Sequence, residues 1–209
     1  MSKIFHFGKY RQKTLDEVFK RDRHYIEWLS SQEWFQTWHK ELYNDSLKLI
    51  DNHVPKVSND IFTVYTDGAC SNNGYKNAKS AIGIYFPDKN IVKINNIGCK
   101  LNLTEHSNNV AELTAILEAL KIIKKNKIDL PIHLYTDSSY CRSILIEWYD
   151  KWVRNDLLKG KKNLNLIEKT YGIYKTMDVT IHHVKAHTQN DDEHSYGNRM
   201  ADKLATSVL

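Results

Sequence analysis

The chain has 209 residues, 41% hydrophobic and 26% charged, a soluble globular balance long enough for one full domain plus a small appendage. No apolar run approaches the span of a bilayer, and the start MSKIFHFGKYRQK carries no apolar signal segment, which argues against membrane insertion and secretion; an intracellular protein, cytoplasmic or nuclear, is expected. The net charge of +5 mildly favours a polyanionic partner, while Cys70, Cys99 and Cys141 are scattered, form no CxxC pair, and so indicate neither a disulfide framework nor a zinc ribbon.

Residues 1–50 are rich in aromatic and charged residues, with Trp28, Trp34 and Trp38 close together. The spacing predicts a helix over 14–29. Thr14 is its N-cap with Glu17 three residues on, and Leu15, Val18, Phe19, Tyr25, Ile26 and Leu29 form its apolar face. A second helix is expected over 33–50. So small a module needs large apolar residues to fold, so its tryptophans are expected in the core. Lys3, Lys9, Arg11, Lys13, Lys20, Arg21 and Arg23 make it locally basic. An accessory nucleic-acid grip, protein docking and plain stabilisation all remain open. The polar stretch 51–60, with Pro55 and Ser58, lacks periodicity and reads as a linker.

From Ile61 the pattern changes. IFTVYTD is a β-branched and aromatic run ending at Asp67; AIGIYF and NIVKINNIG follow as strands, separated by turn residues. NNVAELTAILEALKIIKKN is a long amphipathic helix with Val110, Leu113, Ile116, Leu117, Leu120 and Ile123 inward. IHLYTD is a strand ending at Asp137. SSYCRSILIEWYDKWV and LNLIEKTYGIYKT are helical, DVTIHHV is a strand, and GNRMADKLATSVL is a terminal helix. Three strands, helix, strand, helices, strand, helix make a mixed α/β domain over 61–209, preceded by a small mainly helical module.

Four acids stand out by position: Asp67 and Asp137, each after a Tyr-Thr step at a strand's end, Glu112 early in the long helix, and Asp202 on the last helix. If the two strands are neighbours, their carboxylates converge at one edge of the sheet, where ligands collect in open α/β folds. Crowded carboxylates repel unless cations neutralise them, and hard oxygen ligands select Mg²⁺ or Mn²⁺ over zinc. Singly, each acid is explained as a turn residue or a helix-dipole partner. The set of four, in order, points to metal-assisted phosphodiester chemistry.

YTDGACSNNG, NNVAEL, YTDSSY and GNRMADKLA, taken together, resemble the successive signature segments of the ribonuclease H type 1 family over residues 61–209. The resemblance implies a ribonuclease H-like fold with a mixed five-stranded sheet flanked by helices. It implies an endonuclease cutting the RNA strand of an RNA–DNA hybrid. Asp67, Glu112, Asp137 and Asp202 would hold two Mg²⁺ ions, with Mn²⁺ a possible substitute, and in-line attack by water would leave 5′-phosphate and 3′-hydroxyl ends. His187, in VKAHT, matches a loop histidine used in proton transfer or product release, and Asn198 an asparagine beside the metal site. His182, His183 and His194 lie near His187 in sequence, but His182 and His183 should face opposite ways on a strand, which argues against a zinc cluster.

The same resemblance assigns hybrid contacts to Cys70, Asn73, Asn108 and Asn109, although Asn73 also reads as a turn residue and Asn108 or Asn109 as an N-cap. Ser139 departs from a longer amide found in some members. WYDKWVRNDLLKGKKN, with Trp148, Trp152, Lys161 and Lys162, resembles a basic protrusion that grips the DNA strand; a solvated loop with core tryptophans is the competing reading. FGKYRQKTLDEVFKRDRHYIEWL resembles a small module of exodeoxyribonuclease X-like proteins. Two alternatives remain: a catalytically silent ribonuclease H fold used for binding or assembly, and a nuclease acting on a DNA strand. Loss of a carboxylate would mark the first; none is lost.

Overall fold

The structure is a computed structural model describing residues 3–52, 61–87, 94–186, 188, 190 and 192–209, without the side chains of residues 24, 51 and 52. It contains two compact units, Met1–Pro55 and Lys56–Leu209.

The first unit opens with a loop closed by a backbone bridge between Ile4 and Thr14, then four helices: α1 (Leu15–Arg21), α2 (Arg23–Ser30), α3 (Glu33–Trp38) and α4 (Lys40–Asn52). The Thr14–Glu17 capping box forms as the sequence suggests. The single helix expected over 14–29 is instead broken at Asp22, whose φ of −153° leaves the helical region. Its carboxylate accepts from the Tyr25 amide at 3.1 Å, from Tyr10 Oη at 2.7 Å and from Lys9 Nζ at 3.1 Å, so one aspartate ends α1 and caps α2. The helix expected over 33–50 likewise breaks at His39. Phe5, Leu15, Val18, Phe19, Ile26, Leu29, Phe35 and Leu42 form the core. Trp34 packs against it, but Trp28 is 51% and Trp38 77% exposed, correcting the expectation that all three tryptophans are interior. Phenylalanines and aliphatic residues fill that space.

The second unit is a five-stranded sheet in the order β3-β2-β1-β4-β5, made by β1 (Phe62–Ser71), β2 (Lys79–Tyr85), β3 (Ile97–Lys100), β4 (Ile132–Thr136) and β5 (Val179–His183). β1, β4 and β5 run parallel, and β2 and β3 are antiparallel to their neighbours. β3 starts near the end of the strand expected over NIVKINNIG; residues 90–93 of that stretch lie outside the described residues, and residues 94–96 are not in a strand. The helices are α5 (Asn108–Lys125), α6 (Ser139–Ser143), a π-helical turn (Ile144–Trp148), α7 (Tyr149–Arg154), α8 (Leu164–Tyr174) and α9 (Glu193–Thr206). Among the described residues no helix is long and apolar enough to cross a membrane.

Alternation along β1 sorts its side chains between two layers. Phe62 and Val64 join Leu113, Ile116, Leu120 and Ile123 of α5 in the main core. Tyr65 faces the other layer, where its hydroxyl meets His194 Nδ1 at 3.1 Å and its ring stacks on Tyr135. Two glycines set how closely the helices approach. A Cβ on Gly68 would run into the α5 backbone at Ala111 and Glu112, and one on Gly83 into the α9 backbone at Ala201. Only glycine permits these contacts.

Candidate metal and catalytic site

The β1–β4 parallel ladder ends at Thr66↔Thr136, while β1 continues past it, paired with β2, to Ser71↔Lys79. Asp67 therefore does not close β1, as the sequence suggests; it sits mid-strand, at the first position where β4 no longer runs alongside. Asp137 immediately follows the last residue of β4. The two acids emerge side by side because their strands are neighbours in register. Glu112 arrives from the opposite layer, on the turn of α5 that Gly68 admits. Carboxylate oxygens of Asp67, Glu112 and Asp137 all lie within 4.8 Å of one another. Asp202, on α9, stands outside that trio but near enough to act electrostatically on Asp67 and Glu112.

The electrostatics are those of buried acids that repel one another. Burial, then the charges of Asp137 and Asp202, push Asp67 up to about 7. Burial, then the charges of Asp67 and Asp137, push Glu112 well above the usual carboxylate range. Glu112 Oε2 is buried with no hydrogen-bond partner among the described residues. An orphaned buried oxygen beside two more carboxylates, in an all-oxygen donor set, fits a hard divalent cation such as Mg²⁺ or Mn²⁺.

Asn198 is 3% exposed, and its Nδ2 donates to Asp137 Oδ2 at 3.1 Å. One turn separates it from Asp202, so α9 addresses the site at both positions. His183 Nε2 meets the Asp137 carbonyl at 3.0 Å, while His182 stacks on Tyr135. Arg199 Nη1 donates to the Thr188 and Asn190 carbonyls at 3.2 and 2.8 Å, tying α9 to two residues just after His187 in the chain. Nothing in the sequence marks Arg199 for that role, since its partners are backbone oxygens. His187 itself lies outside the described residues.

The other expected contact residues are dispersed around this centre. Cys70 is half-buried three positions beyond Asp67 on β1, and Asn73 is exposed in the following turn, flanked by Asn72 and Gly74 with positive φ. Asn108 and Asn109 are exposed first residues of α5; the N-cap is Ser107, whose Oγ accepts from the Val110 amide at 3.2 Å, so neither asparagine caps the helix. Ser139 is exposed at the start of α6. Trp152 packs partly on the core with Lys161 Nζ 4.5 Å above its ring, while Trp148 is 36% exposed and Lys162 exposed.

Residues 59–209 match the protein family described as RNase H, and residues 5–33 that described as exodeoxyribonuclease X-like C-terminal. The chain is 35% identical over 161 residues to a ribonuclease H of Orientia tsutsugamushi, spanning 75% of this chain and 87% of that one. It is 36% identical over 146 residues to a ribonuclease HI of Rickettsia prowazekii, spanning 68% and 86%. Among solved structures, the RNase H domain of PFV superposes with a TM-score of 0.55 at 28% identity, covering 70% of this chain and 92% of that domain. This chain belongs to the ribonuclease H family.

Proposed function

We propose that this chain hydrolyses the RNA strand of RNA–DNA hybrids as an endonuclease, by two-metal-ion catalysis, leaving 5′-phosphate and 3′-hydroxyl ends. Residues 61–209 form the catalytic domain, residues 51–60 a linker and residues 1–50 an accessory module. The observation that carries the reading is the meeting of Asp67, Glu112 and Asp137 within 4.8 Å, where burial and the neighbouring acids raise Asp67.

Asp67, Glu112, Asp137 and Asp202 are the proposed holders of two Mg²⁺ ions, with Mn²⁺ as a substitute. Bound there, the cations would neutralise the scissile phosphate and act as Lewis acids towards it. The chain's own groups do the rest. Asn198 fixes the rotamer of Asp137 through the 3.1 Å hydrogen bond, leaving its other oxygen available to a ligand. His187 transfers a proton or assists product release, a task suited to an imidazole side chain. Cys70, Asn73, Asn108, Asn109 and Ser139 supply short polar contacts to the hybrid's minor groove, where the 2′-hydroxyl distinguishes RNA. Trp148, Trp152, Lys161 and Lys162 hold the DNA strand's backbone. Such hybrids place the protein's work in the cytoplasm or nucleus.

The test incubates the full chain with labelled RNA–DNA, RNA–RNA and DNA–DNA duplexes, with and without Mg²⁺. Cleavage is expected for the hybrid alone, only with metal, and not by Asp67→Asn. Metal-independent cleavage, or undiminished cleavage by Asp67→Asn, would overturn the reading.

A further inference from the structure

The first unit carries a second surface with its own chemistry. A cleft of about 520 Å³ opens on it, within the size range of small-ligand sites. The helix break at His39 builds it. His39 turns inward and stacks on Phe7, with ring centroids 4.2 Å apart and planes 26° from parallel. Its neighbours in the chain, Trp38 at the end of α3 and Lys40 at the start of α4, lie on the surface. Trp38 is 77% exposed.

The charge of the lining favours one class of occupant. Glu41, its one carboxylate, is held by Lys3 Nζ at 2.8 Å, and the same ammonium meets Asp45 at 3.3 Å. Lys40, by contrast, has no carboxylate within ion-pair distance among the described residues, and His6 and His39 add ring nitrogens to the lining. An exposed indole and an ammonium with no carboxylate beside it among the described residues, sharing one cleft with the stacked Phe7–His39 pair, match a flat aromatic ligand bearing negative charge. An apolar peptide would leave Lys40 desolvated without a partner.

We infer that this cleft binds an unpaired nucleobase on Trp38, with its flanking phosphate on Lys40. The N-terminal unit is thus a grip for single-stranded nucleic acid, acting independently of the hydrolysis proposed for the catalytic domain. DNA and RNA strands share this chemistry, and duplex ends without unpaired bases lack it.

The experiment uses the full chain carrying Asp67→Asn, so that nothing is cleaved. It is titrated into fluorescent oligothymidylate and oligouridylate of about a dozen nucleotides, a span suited to a single small binding fold, and into a blunt DNA duplex. Trp38→Ala is expected to weaken binding of one or both single strands roughly five- to tenfold, with Trp38→Phe retaining most of it. Lys40→Glu should weaken it too and lower the salt slope by about one. Duplex binding should stay within about twofold in both variants. Both side chains are exposed, so unfolding midpoints should match the parent. Unchanged single-strand affinity in Trp38→Ala and Lys40→Glu would overturn the inference, as would an equal loss for the blunt duplex. With Asp67 intact, Trp38→Ala should cleave a short hybrid at the parent kcat. Failure of the grip therefore leaves the nuclease reading standing, and absence of cleavage leaves the grip standing.

Discussion

Asn198 and Asp137 lie 61 residues apart in the chain, yet the Asn198 amide donates to the Asp137 carboxylate at 3.1 Å. The bond joins the last helix to the end of β4 and limits how Asp137 can present its second oxygen. Asn198 is buried, so its partner cannot be replaced by bulk water without cost.

Asn198→Ala should therefore lower hybrid cleavage by roughly 10–100-fold at saturating Mg²⁺, as for other residues that orient a metal-binding side chain. Stability should fall by only about 1 kcal/mol. Steady-state rates and urea unfolding measure the two effects separately. A large loss of stability with a parental rate in the folded fraction would assign Asn198 to packing instead.

The crowded acids make a prediction about pH. Asp67 is raised in the folded state to about 7, far above its unfolded value. As pH climbs from about 4 to 7, the unfolded chain releases this proton while the folded chain keeps it, so stability falls across that window. The loss is at most roughly 4 kcal/mol for this group. Thermal unfolding in a chelator should show a lower midpoint at pH 7 than Asp67→Asn does, and a flatter profile in that variant. Added Mg²⁺ should raise the parent's midpoint and leave Asp67→Asn little changed.

Gly68→Ala tests the approach of α5 to β1. The added methyl meets helix backbone rather than a flexible side chain, so the helix must move. A destabilisation of about 3 kcal/mol or more is expected, together with loss of cleavage as Glu112 is carried away from Asp67. A midpoint within a degree or so of the parent would show that α5 shifts freely.

Arg199 holds the Thr188 and Asn190 carbonyls with one guanidinium nitrogen. Arg199→Ala should speed amide hydrogen exchange in this segment. If His187 acts as proposed, kcat should drop roughly tenfold with KM little changed. Arg199→Lys should restore part of it, because an ammonium can also donate to two carbonyls from a single nitrogen. Parental exchange and kcat in Arg199→Ala would remove Arg199 from any positioning role.

Much of this protein is written in local pattern. The β-branched and aromatic run IFTVYTD and the helical spacing of NNVAELTAILEALKIIKKN set β1 and α5, because the burial each needs is visible within a dozen residues. The Thr14–Glu17 capping box is equally local. The breaks at Asp22 and His39 were not legible as breaks. Apolar spacing continues across both; contacts with Tyr10 and Lys9 join the local Tyr25 cap in favouring the non-helical backbone at Asp22, and His39 stacks on Phe7. The exposure of Trp38 is hidden for the same reason: which large residue fills a small core depends on partners that only folding brings together.

The sequence by itself determined the identity and order of the acidic residues and the elements carrying them, since each follows from short-range periodicity and side-chain chemistry. Tertiary structure alone decided that Asp67, Glu112 and Asp137 meet within 4.8 Å while Asp202 stands back from them. Distance across the fold depends on strand register and on helix approach, set here by the end of the β1–β4 ladder and by the missing side chain of Gly68.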